Sequence, residues 1–353
     1  MNEDLGSIVQ QFLPNYNGKI VPITYGLINH TYTVYSTNNT AYILQKINTT
    51  IFTQPALLQQ NYIQITNALV AANSQFNLPN MLLTTNKQLL FIDAAKQCWR
   101  MFNFVHNAYT IEHIQCAEDA YKVAHTFSRF TSDVKKLAAE KIQVVLPNFH
   151  NVRYRYSQLL QAVQLNKSNR LQYAAAVLQP LETYQAILKL YAYFTTDQKK
   201  FRQYILHHDA KISNILFNQF TGETITPIDF DTTMPGYFFS DIGDMIRSMA
   251  VNKNENDTNY ITLQILPENY EAIVDAYLTN TSTLFTSTEV LHMHYSGLLI
   301  IYMQCIRFIT DYINGDTYYQ VTYPQQNYDR ALNQLTCLQQ LQLFLKAKYS
   351  IQW

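Results

Sequence analysis

Glycine is scarce, with 8 in 353 residues. That excludes collagen-like and Gly-rich low-complexity chains, and any fold built on repeated glycine turns. Charge is also sparse. Asp, Glu, Lys and Arg make up 14 % of the chain, against ~25 % in an ordinary domain. The 25 Lys and Arg balance the 25 Asp and Glu. A neutral chain exerts no long-range pull on a polyanion, so nucleic acid is not the expected partner. Apolar residues make up 48 %, which excludes disorder as the main state. The four cysteines, Cys98, Cys116, Cys305 and Cys337, show no CxxC-like spacing. They read as small apolar residues rather than a zinc site or a disulfide framework, and a reducing cytoplasm fits. The most apolar run, Gly297 to Met303, is far below the ~20 residues of a spanning helix. The opening MNEDLGSIVQQF is acidic and does not read as a secretory signal. No GxxxxGK[ST] occurs, which excludes a P-loop nucleotide site.

What is present changes character along the chain. Ile20–Thr24, Tyr32–Tyr35 and Ala41–Ile47 read as strands joined by turn residues. Gln54–Asn73 reads as a helix, with Pro55 near its start. Met81–Thr85, Leu89–Ile92 and Cys98–Val105 read as further strands. Beyond about residue 105 helical spacing takes over, in Cys116–Asp133, Tyr154–Leu165, Leu181–Phe194, Pro267–Thr279, Ser287–Ile313 (with Ser287 as its cap) and Asn327–Lys348. The expectation is an α+β, two-lobe fold. Residues 1–105 form a small antiparallel-sheet lobe with one helix. Residues 106–353 form a larger, mainly helical lobe, with a cleft between the two.

One β island interrupts the helices, and it carries the chemistry. Tyr204–Leu206 leads into HHDAKISN (207–214), then ILFN, a turn at Thr221-Gly222, and TITPIDFD. The midpoint of 214 and 229 falls between Thr221 and Gly222, so a regular hairpin sets Asn214 opposite Asp229, with Cβ atoms ~5 Å apart. An amide oxygen and a carboxylate at that spacing suit Mg²⁺, which also takes phosphate oxygens and water. Asp209 stands close by, placed to take a proton from a hydroxyl. A base, an amide ligand and a carboxylate ligand form the phosphoryl-transfer set of kinases. The other reading is a surface hairpin whose Asn and Asp cap turns. In the first lobe, YGLINHTYTV offers Gly26 in a strand–Gly–strand loop, with Asn29 and Thr31 as phosphate donors; a plain hairpin turn reads equally well. Lys46 on the third strand is placed to neutralise phosphates, or else is a solvated strand lysine.

These residues resemble the aminoglycoside phosphotransferase and choline kinase superfamily, and within it the N-acetylhexosamine 1-kinases; the resemblance implies a protein-kinase-like two-lobe fold whose first lobe, residues 1–105, holds the nucleotide. The resemblance runs through GLINHTYTV, YILQKINTTIF, WRMFNFV, LPNFHNVRYRY, HHDAKISNILF, IDFDTTMPG with SDIGDMIR, and RFITDYINGDTYYQVTYPQQNYDRALNQL. It implies transfer of the ATP γ-phosphoryl group to the anomeric hydroxyl of N-acetylglucosamine or N-acetylgalactosamine, with ATP and Mg²⁺ as cofactors and a small sugar as partner. Asp209 is then the catalytic base, Asn214 and Asp229 the Mg²⁺ ligands, and Lys46 the phosphate-contacting lysine. Arg307 and Tyr318 match sugar-contacting positions. Arg307 can instead pair with Asp311 one turn on, and Tyr318 can be one aromatic among 27 tyrosines. Asp241 and Asp244 read as support for the catalytic loop. Asp231 is either a second metal contact or a hairpin-end group, and His150 is family-like. Two departures stand out: Gln60 where a kinase often pairs the lysine with Glu, and His208 before the base. Other acceptors (choline, homoserine, an aminoglycoside) and an inactive kinase-like binding module are the alternatives. A monomer is compatible with the sequence.

Overall fold

The computed structural model describes residues 4–23, 28–37 and 40–351. Gly26, expected to cover phosphates, lies outside them. The N-terminal lobe runs α1 (Leu5–Gln10), β1 (Gly18–Ile23), β2 (His30–Ser36), β3 (Ala41–Ile47), α2 (Pro55–Ala71), β4 (Met81–Leu82), β5 (Phe91–Ile92) and β6 (Cys98–Asn103). Its sheet is antiparallel in the order β1-β2-β3-β6-β4, with β5 pairing the other end of β6. Period-two alternation gives this sheet two different faces. Val34, Leu44, Trp99 and Met101 pack with Ile8, Val9 and Phe12 from the α1 region on one face. Phe102 packs on the other with Tyr62, Ile65 and Leu69 of α2. That second cluster continues into Phe130, Ile205, Phe230 and Met234, so the two lobes share a core.

After β6 the chain forms β7 (Ala108–Tyr109), α3 (Ala117–Asp133), α4 (Val152–Leu165), α5 (Ala175–Glu182), α6 (Ala186–Thr196), β8 (Gln203–Leu206), β9 (Ile215–Asn218), β10 (Thr224–Pro227), β11 (Met234–Tyr237), α7 (Phe239–Met249), α8 (Pro267–Thr281), α9 (Ser287–Leu291), α10 (Ser296–Asn314) and α11 (Gln326–Tyr349). The result is an α+β protein with an antiparallel-sheet N-terminal lobe and a helical C-terminal region. Among the described residues no helix is long and apolar enough to cross a membrane.

Several expectations need correction. The helix expected over Leu181–Phe194 is two helices, α5 and α6. Pro180 lies inside α5, where it removes a backbone donor, and the helix stops two residues later at Glu182. The helix expected over Ser287–Ile313 is likewise broken. Thr286, not Ser287, caps α9 in a reciprocal box with Glu289. The ring of His292, whose Nδ1 lies 2.7 Å from the Thr288 carbonyl oxygen, marks the break. α7 was not among the expected helices, although Asp241, Asp244, Arg247 and Ser248 recur at helical spacing and give it a polar face; that face is turned into the protein rather than to water.

The β9–β10 hairpin also departs from regular pairing. It turns at the expected place, with the Gly222 N–H donating to Asn218 O and φ at +69°. A register shift then falls between Thr224 and Thr226, and Ile215 pairs with Pro227. Asn214 O accepts the N–H of Ile228, so Ile228 and not Asp229 stands opposite Asn214. Asp229 follows in the left-handed region, at φ +61° and ψ +60°, which turns the chain out of the strand direction.

Across the lobe junction, Arg100 of β6 meets Asp231 through two parallel bonds of 2.7 Å. The two side chains are only 4 % and 6 % exposed. Asn29 Nδ2 donates to the same carboxylate at 2.8 Å, while Asn29 Oδ1 accepts the Asn48 N–H. Arg100 Nε donates to Gln45 Oε1, and Gln45 Nε2 to Thr31 Oγ1. Removing one partner of such a pair strands a buried charge, at a cost of ~3–5 kcal/mol. Arg100→Met and Asp231→Leu are each expected to cost about that much in urea unfolding. The double variant Arg100→Met/Asp231→Leu should cost clearly less than the sum of its single substitutions. Additive losses would show that the two groups act independently.

Candidate active site

The loop after β8 is shaped from below by α7. Asp241 Oδ2 accepts the His207 N–H at 3.0 Å and Asp241 Oδ1 the His208 N–H at 2.7 Å. Thr232 Oγ1 donates to the His207 carbonyl, which ties the loop to the segment carrying Asp229 and Asp231. Asp241 is fully buried, and that burial pushes its carboxyl up to about 7 against the pull of its two backbone donors. Asp244 is held by Arg247 Nε at 2.8 Å, and Arg247 also binds Glu255.

His208 adopts φ +65°, a region where a branchless residue or Asn is most at ease. Its imidazole lies over Gly236 of β11, where an added Cβ would stand 2.2 Å from Nε2. Gly236 is therefore the space into which His208 fits. The same ring lies 5.2 Å from His150 and 6.5 Å from Phe149. Burial lowers both His207 and His208 to about 4, so each is neutral in the folded protein at pH 7.

Asp209 is gripped on one side only. Asn214 Nδ2 donates to its Oδ2 at 2.8 Å and Lys211 Nζ lies 2.9 Å from the same oxygen. Oδ1 has no donor among the described residues. Burial alone would raise this carboxyl; Lys211, followed by His207 and Asn214, outweighs it and holds the group below the usual carboxylate range. Asp229 goes the other way. Burial raises it first, and the charges of Asp231 and Asp209 add to that, against Lys211 and Arg100. Lys211 thus faces Asp209, Asp229 and Asp244 together.

The donor chemistry fits a hard divalent cation. Asn214 spends its Nδ2 on Asp209, which leaves Oδ1 without a protein donor among the described residues. Asp229 is an exposed carboxylate crowded by two others, a situation that a cation relieves. No three His, Cys, Asp or Glu side chains among the described residues gather as a metal cluster. Mg²⁺ completes its coordination with phosphate oxygens and water.

The structure relocates several expected residues. Lys46 pairs across the sheet with Trp99, shares the Leu44 and Trp99 face, and sets its Nζ 5.7 Å from the Trp99 ring. Burial alone would raise Asp93; the bonds from Trp99, Gln97 and Ala95 outweigh it and hold the group below the usual range, with a smaller contribution from the charge of Lys46. This face packs on the α1 region, away from Asp231, so strand alternation corrects the placement of Lys46 against phosphates. Gln45 is the β3 side chain that meets Arg100. Gln60 is exposed, so it does not stand in for a lysine-pairing Glu; the α2 amide turned inward is Gln59. Both Gln59 side-chain polar atoms are buried without a partner. Asn29 is committed to Asp231 and Asn48, and Thr31 Oγ1 accepts from Gln45. Asp231 is the anchor of Arg100.

Arg307 and Tyr318 do come together, with Arg307 donating to the Tyr318 hydroxyl at 3.4 Å. The Arg307 guanidinium lies over the rings of Phe149, Tyr318 and Tyr319. Asp311 does not pair with Arg307. It accepts instead from the N–H groups of Thr317, Tyr318 and Tyr319 and from Asn327 Nδ2, and so fixes the loop that presents both tyrosines. Phe149 is stacked on His150, which lies against His208, so a chain of rings links Arg307 to the Asp209 loop. Lys211, Arg100 and Phe149 had no assigned role in the sequence. Only Lys211 left a signal there, as a cation two residues past the base.

Two outcomes follow for this loop. Gly236→Ala should destabilise by ~1–3 kcal/mol through the His208 clash, and His208→Asn should remove most of that cost when combined with it. Each buried neutral histidine stabilises fully above pH 6.5 and progressively less as pH falls toward 4, because the unfolded chain binds the proton first. In urea unfolding, the stability of wild type relative to His208→Asn should therefore drop between pH 7 and 5. A pH-independent difference would contradict the buried neutral ring.

A profile described as the phosphotransferase enzyme family matches residues 19–282. An aminoglycoside phosphotransferase from Alicyclobacillus acidocaldarius superposes with a TM-score of 0.64 at 13 % identity, over 98 % of this chain and 95 % of its own. A microcompartment-associated aminopropanol kinase gives 0.58 at 16 % identity, over 97 % and 98 %. A choline kinase from Cryptosporidium parvum gives 0.53 at 15 % identity, over 98 % and 96 %. These structures share its fold; the matched profile spans well over half of its length, and the chain belongs to the phosphotransferase enzyme family.

Proposed function

We propose that this phosphotransferase moves the γ-phosphoryl group of ATP, with Mg²⁺, to the anomeric C1 hydroxyl of an N-acetylhexosamine, giving the sugar 1-phosphate. The observation that carries the reaction is the one-sided grip on Asp209. Lys211 and Asn214 hold Oδ2, and Oδ1 is left for the acceptor. Asp209 orients the acceptor hydroxyl through Oδ1 and takes its proton as the bond to phosphorus forms. Its lowered basicity suits late proton transfer to a carboxylate whose main work is positioning. Asn214 Oδ1 and the Asp229 carboxylate hold Mg²⁺, which when bound neutralises the nucleotide phosphates. Lys211, already among three carboxylates, supplies positive charge beside the transferring group.

The acceptor side favours a non-cationic substrate. Asp311 is used by the 317–319 loop and by Asn327, while Asp244 and Glu255 are used by Arg247. A cationic acceptor such as choline finds no spare carboxylate there among the described residues. Arg307 offers a planar fork of donors to sugar oxygens, and Tyr318 a ring and a hydroxyl.

Purified protein with ATP, Mg²⁺ and a panel of hexosamines, choline and aminoglycosides should yield phosphate on C1 in ³¹P NMR. Phosphate on C6 or on an amino-alcohol, with none on C1, contradicts the acceptor. Asp209→Asn should lower kcat by ~10²–10⁴-fold while keeping the Mg²⁺-dependent rise in Tm with ADP. Asp229→Asn should lose that rise. An Asp209→Asn enzyme of normal rate contradicts the base.

A further inference from the structure

Beyond Arg307 and Tyr318 lies a cavity of about 370 Å³ in the groove between α4 and α10. Its walls carry three cationic side chains, Arg155, Lys167 and Arg307, against the single carboxylate of Asp311. That carboxylate is unavailable, because its oxygens already accept three backbone N–H groups and the Asn327 amide. Arg155 bonds only to neutral acceptors, Gln158 Oε1 at 2.9 Å and the Phe149 carbonyl at 3.4 Å. Arg307 does the same with Gln304 Oε1 and the Tyr318 hydroxyl. None of the three cations has an acidic partner among the described residues. Burial, and then the charge of Arg307, lowers Arg155 to about 10, as expected for two guanidinium groups facing one space with no anion between them.

A second observation points the same way. Arg155 Nε and Thr310 Oγ1 both belong to lining residues, and both are buried without a hydrogen-bond partner. A buried orphan donor is costly unless something supplies an acceptor. Uncompensated cations and unused donors converging on one cavity call for an oxygen-rich anion.

We propose that this cavity is an oxyanion subsite that receives a carboxylate, sulfate or phosphate substituent of the acceptor, held by Arg155, Arg307 and Lys167. The assignment rests on the acceptor reading above in one respect, that Arg307 and Tyr318 are shared between the cavity and the sugar. It adds a charged group to that sugar, remote from the hydroxyl that is phosphorylated.

The test uses the full-length Asp209→Asn protein, so that binding is read without turnover. Calorimetric titrations compare N-acetylglucosamine, its 6-sulfate, and sodium sulfate at constant ionic strength. The sulfated sugar should bind at least about tenfold tighter than the neutral sugar, as one charge-assisted contact allows. Arg155→Gln and Lys167→Gln should each reduce that preference several-fold and leave the neutral sugar's affinity unchanged. Lys167 is exposed, so its variant tests the site even where Arg155→Gln fails to fold. Equal affinities for the two sugars, no binding of any probe, or a preference that survives Lys167→Gln overturns the subsite. Free sulfate binding as tightly as the sulfated sugar, without displacing it, also overturns it, because the cavity then takes a separate anion. An enzyme that binds the sulfated sugar tightly but phosphorylates no C1 hydroxyl upholds the subsite while contradicting the proposed reaction.

Discussion

A guanidinium from the sheet lobe and a carboxylate from the catalytic segment are withdrawn from water together, and neither can leave without stranding the other. Arg100 and Asp231 are therefore a geometric constraint more than a source of net stability. Asp231 lies two residues past Asp229, and Asn29 and Gln45 close the polar network around the pair. The segment that carries Asp229 and Asp231 is thus tied to the N-terminal sheet. The aromatic cluster of Tyr62, Phe102, Phe130 and Phe230 packs beside this junction and gives it an apolar floor.

Within that frame, the catalytic ribbon uses conformations that a regular hairpin cannot supply. Asp229 and His208 both take positive φ. The first turns a carboxylate off the strand axis. The second is supported by the Asp241 bonds to successive N–H groups and by the space that Gly236 leaves for its ring. Local strain at such positions persists only where the surroundings over-determine it, and here α7, β11 and Thr232 do so. The outcome is an Asp209 with one oxygen pinned and the other open.

The sequence was most legible where one face of an element meets water. The strand boundaries of β3 and the spans of α3 and α8 follow from alternation or period, and the order of a sheet followed by helices gave the fold. It was least legible where a helix is interrupted, as at Pro180 and His292. The candidate site residues Asp209, Asn214 and Asp229 were visible as a spacing. The assumption of regular pairing nevertheless set Asn214 opposite Asp229, because a register shift leaves no mark in a sequence of TITP. Lys46 failed for a simpler reason: strand alternation turns neighbouring side chains to opposite faces, so a one-residue choice between Gln45 and Lys46 decides which meets the junction. Arg100 and Arg155 needed the third dimension, since their partners lie far along the chain or are absent.

The central claim is that Asn214 and Asp229 hold a metal ion beside the open oxygen of Asp209. Crystals grown with Mn²⁺ and a non-hydrolysable ATP analogue, with anomalous diffraction recorded at the manganese edge, test it most directly. The account requires an anomalous peak bridging the Asn214 amide oxygen, the Asp229 carboxylate and the nucleotide phosphates. A bound nucleotide whose metal sits away from those two side chains would contradict it.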